Sequence, residues 1–84
     1  MTDFMPNELV ISAVVLAEEL SFSAAALRLD TTPTALHAQI GELVARLECQ
    51  MFQEEDDRVE VTKDGQVLID GFRLFLARNE KLPE

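Results

Sequence analysis

Eighty-four residues leave room for one domain and none for a catalytic or ligand-binding domain beside it. A hydrophobic share of 48 % excludes a disordered tail, and the single cysteine, Cys49, excludes an internal disulfide and fits a reducing compartment. The formal charge of −9 repels phosphate and so works against nucleic-acid binding.

No signal peptide is expected, because Asp3 follows the start and no basic segment precedes the apolar stretch. Leu9 to Ala17 is apolar apart from Ser12, yet about 20 such residues are needed to span a bilayer. The expectation is a soluble, cytoplasmic chain without membrane contact. A core this small gains from dimerisation. The acid is unevenly placed. Asp3, Glu8, Glu18 and Glu19 make the first 20 residues acidic, and Glu48, Glu54, Glu55, Asp56, Asp57 and Glu60 stand against Arg58 alone in residues 48–61. Residues 21–47 balance Arg28 and Arg46 against Asp30 and Glu42.

In chain order, Pro6 and Asn7 give a start signal for a first helix over about Glu8 to Glu19, with Asn7 as its cap. Leu9, Ala13, Leu16 and Leu20 follow the i, i+4, i+7, i+11 spacing of one buried face. Val10, Ile11, Val14 and Val15 make the rest of this helix apolar, and a small domain buries one face. The second face is therefore expected to meet another chain.

Ser21 reads as the cap of a second helix, whose Ala24-Ala25-Ala26 run allows close packing and which Asp30 and Thr31 end. Thr32 caps a third helix with Pro33 at its first position, where a missing amide proton costs nothing. Leu36, Ile40, Leu43 and Leu47 form the buried stripe of that helix, while Thr34, His37, Ala38, Gly41 and Ala45 face out. Two short helices joined by a tight turn make a helix-turn-helix. Met51-Phe52 and Val59-Glu60-Val61 read as two short strands with Glu54 to Asp57 as the turn between them, which is a wing. Thr62 caps a fourth helix, in which Leu68, Phe72, Phe75 and Leu76 make an apolar stripe to about Arg78.

These residues carry a family resemblance. Glu-Glu-x-Ser-Phe-Ser-x-Ala-Ala runs from Glu18 to Ala26, and x-Pro-x-Ala-Leu-x-x-Gln-Ile from Thr32 to Ile40. Leu43, the pair Met51-Phe52, Arg58-Val59, Val61-Thr62 and Gly65 continue the same register without gaps. The chain resembles, over roughly residues 7–78, the amino-terminal winged helix-turn-helix domain of LysR-type transcriptional regulators. The winged helix of molybdate-responsive regulators resembles the Thr62 to Phe75 region about as well and the helix-turn-helix less well.

The LysR resemblance implies a mainly α fold: three helices, a short two-stranded wing and a long C-terminal dimerisation helix. A single domain over residues 1–84 would then hold the helix-turn-helix at about 21–41, the wing at about 51–61 and the dimerisation helix at about 62–80. It implies that the third helix enters the major groove of double-stranded DNA while the wing touches the backbone beside it. The family's effector-binding domain has no counterpart before Glu84, so sensing of a small molecule in the family's manner is not expected. Ser21, Ser23, Thr32, Thr34, His37 and Arg58 are the candidate DNA contacts carried over from matched positions, and Gln39 adds an amide to the third helix. Val10, Val14, Leu68, Phe72, Phe75 and Leu76 are the candidate dimer interface.

Departures from the family gather where DNA would lie. Ala38, Gly41, Glu42 and Glu54 stand where basic residues are common, and Glu55-Asp56-Asp57 forms the wing tip. Phosphate neutralisation supplies most non-specific affinity, so acidic replacements remove it. Two functions follow. One is a small transcriptional regulator whose acidic surface opposes DNA. The other is a winged-helix interaction module that pairs with a LysR-type regulator or engages a basic protein surface as a decoy. No catalytic set is expected: His37 has no nucleophile and orienter around it, no second histidine or paired cysteine at metal spacing, and no cofactor motif is present. The run Glu54 to Asp57 lacks the alternating donors and glycine of a calcium loop.

Overall fold

In the computed structural model, residues 7–79 are described. Their order is α1 (Asn7–Glu19), α2 (Phe22–Arg28), α3 (Pro33–Leu47), β1 (Phe52–Glu55), β2 (Arg58–Val61) and α4 (Lys63–Asn79). No helix among the described residues is long and apolar enough to cross a membrane.

Helix α1 is the centre of the molecule, packing against α2, α3 and α4. This explains its apolar circumference: one face, with Leu9, Ala13 and Leu16, joins the core shared with Phe22, Ala25, Leu36, Ile40 and Leu43. The other face, with Val10 and Val14, is buried against Leu76 of α4, with Phe72 packed alongside. The expected meeting of that face with another chain is therefore corrected. Val10, Val14 and Leu76 are at most 4 % exposed within the single chain, because α4 folds back over α1. Each such burial stabilises the fold by about 1.5–3 kcal/mol.

Leu20 departs from its expected place on the buried stripe. It lies one residue beyond α1 in the left-handed region, at φ 58°, and is 44 % exposed. The backbone there turns to let Ser21 start α2, and its carbonyl accepts from the Val59 amide at 3.1 Å. Ile69, absent from the expected α4 stripe, is fully buried at 0 % exposed. The inward face of α4 is Gly65, Ile69, Phe72 and Leu76, whereas Phe75 is 43 % exposed.

The wing is a two-stranded antiparallel hairpin in the register Phe52 with Val61, Gln53 with Glu60, Glu54 with Val59 and Glu55 with Arg58. Only Asp56 and Asp57 remain for the turn, which is tighter than the expected four residues, and Asp56 adopts a left-handed φ of 58°. Phe52 and Val59 anchor the hairpin in the core. Thr62 ties it to α4: its hydroxyl accepts from the Gly65 amide at 2.9 Å and donates to the Gln50 carbonyl at 2.6 Å. Gly65 is required there, since a Cβ would lie 2.2 Å from the Met51 carbonyl oxygen. Cys49 is half-buried and packs against the same core.

Charged groups stitch the helices from outside. Arg28 of α2 donates to Glu18 at 2.6 Å and to Glu19 at 3.2 Å, and Arg73 of α4 donates to Glu18 at 2.8 Å. Glu18, by its hydrogen bond first, pushes the Arg28 guanidinium above its ordinary high value.

Candidate nucleic-acid interface

Helix α3 begins where the sequence says it should. Thr32 is extended, at φ −108° and ψ 155°, and its hydroxyl accepts from the Ala35 amide at 3.1 Å, with Pro33 in the first turn. Leu36, Ile40 and Leu43 are buried, so the opposite face carrying Thr34, His37, Ala38, Gly41 and Ala45 is exposed, as the periodicity predicts. Helix α2 is capped in the same way, the Ser21 hydroxyl accepting from the Ala24 amide at 3.1 Å.

The wing reaches back to the start of α2. Phe22 donates its amide to the Asp57 carbonyl at 3.0 Å, and Ser21 forms an antiparallel bridge with Arg58. The Asp57 carboxylate closes this contact. One oxygen accepts from the Ser21 hydroxyl at 2.5 Å, and the other accepts from both the Ser23 amide and the Ser23 hydroxyl at 2.9 Å. The Ser21 hydroxyl first, then the Ser23 hydroxyl and amide, hold the Asp57 carboxyl below the usual carboxylate range.

A second acid of the wing meets α3. The His37 Nε2 lies 2.8 Å from Glu54 Oε1, and the His37 ring sits 5.0 Å from the Phe22 ring, tilted by 40°. Further along α3, Glu42 accepts from Arg46 at 2.9 Å, so the guanidinium on this helix is paired within its own turn.

The six candidate contacts thus have distinct places. Thr34 and His37 line one groove of about 640 Å³ together with Phe22, Pro33, Ala38, Asp56 and Asp57. Ser21 and Ser23 are not among its lining residues and are held by Asp57, which is. Thr32 is used as the cap of α3. Arg58 lines a different hollow, with Leu20, Gln53 and Glu60. Among the described residues Arg58 has no ion-pair partner. Gln39 is corrected: it is turned toward α1, where its side-chain oxygen accepts from the buried Ser12 hydroxyl at 2.7 Å. A polar residue next to the buried stripe finds an internal partner in place of water.

Sequence reasoning missed Asp57 as a partner of Ser21 and Ser23, and Glu54 as a partner of His37. Both pairs join residues far apart in the chain, 34–36 positions for Asp57 and 17 for Glu54. No local pattern signals them.

A capped α2, a short turn, an outward-facing α3 and a hairpin docked beside them define a winged helix-turn-helix. The sequence model of the bacterial regulatory helix-turn-helix protein, lysR family, matches residues 10–66. The chain belongs to that family. Among solved structures, the BenM DNA-binding domain in complex with benA site 1 DNA is 26 % identical with a TM-score of 0.83, covering 88 % of this chain and 83 % of that one. The CbnR DNA-binding domain in its DNA complex is 23 % identical with a TM-score of 0.84, covering 88 % of this chain and 85 % of that one. Oxidised OxyR of Corynebacterium glutamicum is 23 % identical with a TM-score of 0.84, covering 92 % of this chain and 25 % of that one. The last two likenesses show the fold alone. Among curated proteins none matches the chain.

Proposed function

We propose that this chain is a LysR-type transcription-regulator domain that works in the cytoplasm as a homodimer and lays α3 in the major groove of double-stranded DNA. The observation that carries this reading is the exposed Thr34, His37 and Ala38 surface of α3, presented beside a docked wing. The DNA complex of the BenM domain supports it by likeness. Hydroxyl and imidazole groups on such a helix can hydrogen-bond base edges. Few phosphate contacts are available, so affinity rests on α3 more than on charge.

The test is a titration of the protein into labelled duplex DNA at low salt, read by fluorescence anisotropy. Saturable binding that weakens as salt rises is the expected result, and a flat curve rejects the DNA reading. Glu42→Gln with Glu54→Gln releases Arg46 and His37 from their acids. About 1 kcal/mol per exposed charge at ~4 Å predicts a gain of about tenfold or more at low salt.

For the dimer, α4 offers exposed Phe75, Leu74 and Val67, at 43 %, 59 % and 71 % exposed, with Leu68 and Phe72 half-buried. Phe75→Asp is expected to halve the mass in solution by light scattering. An unchanged mass removes α4 as the interface.

One observation favours a second reading, a protein-interaction module. Ser21, Ser23 and His37, three of the six candidate DNA contacts, are already engaged by Asp57 and Glu54 of the chain's own wing. In that reading the domain pairs with a full-length LysR-type regulator or meets a basic protein surface.

A further inference from the structure

The groove between α3 and the wing tip has a composition that suits neither phosphate nor a second copy of this chain. Its lining combines Phe22, Pro33 and Ala38 with Thr34, His37, Asp56 and Asp57, and among the described residues no lysine or arginine lines it. Asp56 is exposed at the tip and, among the described residues, its side chain has no hydrogen bond or ion pair. Asp57 retains its negative charge, with its serine partners favouring the ionised form. Glu54 stands behind His37 on the same side. With 16 acidic against 7 basic residues, a second copy would bring like charge to this face.

We propose that this groove binds a basic segment of a partner protein, an arginine side chain seating its stem on Phe22, Pro33 and Ala38 and its guanidinium on the Asp56 carboxylate, with the negative charge of Asp57 beside it. The inference rests on the interaction-module reading above and names its site and ligand chemistry. Charge complementarity selects the occupant. A long cationic side chain buries its methylenes on apolar surface and keeps its head polar, and the planar guanidinium matches a carboxylate in a two-point fork. A groove of about 640 Å³ accommodates one such side chain together with an apolar neighbour.

The test uses the whole chain and a fluorescein-labelled nonapeptide of alternating arginine and leucine. The controls are an arginine–serine and a glutamate–leucine nonapeptide. Saturable anisotropy is expected for arginine–leucine, with amide shifts centred on Phe22, Ala38 and Asp56, weaker binding of arginine–serine and none of glutamate–leucine. Asp56→Asn keeps a residue that tolerates the left-handed backbone and removes the charge, and should weaken binding about fivefold. Ala38→Phe fills the groove at an exposed helical position and should abolish binding, with an unchanged circular dichroism spectrum confirming the fold.

Wild-type affinity in either variant overturns the inference, as do equal binding of arginine–serine and shifts spread over every acidic surface. Duplex DNA binding the same residues more tightly than the peptide overturns both the inference and the module reading. A flat DNA titration with no peptide binding overturns the inference and leaves the module reading standing.

Discussion

The seam between α1 and α4 and the face made by α3 and the wing are assembled by the same chain under opposite demands. In the seam, Val10, Val14 and Leu76 bury hydrocarbon against hydrocarbon, and no buried side-chain polar atom among the described residues lacks a partner. On the α3 face the exposed polar groups find acids: Ser21 and Ser23 find Asp57, His37 finds Glu54, and Arg46 finds Glu42. The first region is part of the buried scaffold. The second carries the candidate DNA contacts Thr34 and His37. Acid can therefore accumulate on the outer face while the scaffold keeps the shape it shares with BenM at a TM-score of 0.83.

The sharpest way to break this separation is to cut the core beneath α3. Leu36 is 0 % exposed, and Leu36→Ala is expected to cost about 2–5 kcal/mol in urea unfolding. Where the variant remains folded it should bind DNA or peptide as the wild type does. Altered affinity in that folded fraction would show that the core and the binding face are coupled.

Two glycines sharpen the contrast. Gly65→Ala forces a Cβ onto the Met51 backbone and should destabilise by at least about 1–3 kcal/mol. Gly41→Ala meets nothing within 4 Å on the exposed face of α3 and should stabilise by about 1 kcal/mol. Thermal melts of both variants check the opposite signs.

The smallest effect concerns acid. Asp57 is held below its unfolded value, so its contribution is full above the usual carboxylate range and is lost as pH falls through its lowered folded value. The wing contact with α2 should loosen there first, read as a shift of the Ser23 amide in an NMR pH titration. In Asp57→Asn that step should disappear.

Local chemistry determined much of this molecule without help. Ser21 and Thr32 cap the helices that follow them, and Leu36, Ile40 and Leu43 point inward at helical spacing. Caps and periodicity act within a few residues, so one sequence suffices to read them. Tertiary structure alone decided that α4 covers the second face of α1, that Ile69 belongs to the core and that Gln39 turns inward to Ser12. It also decided that Asp57 and Glu54 engage the candidate DNA contacts. An apolar face states that it needs a cover, and an acid that it needs a partner. Which segment supplies either is set by the packing of elements distant in the chain.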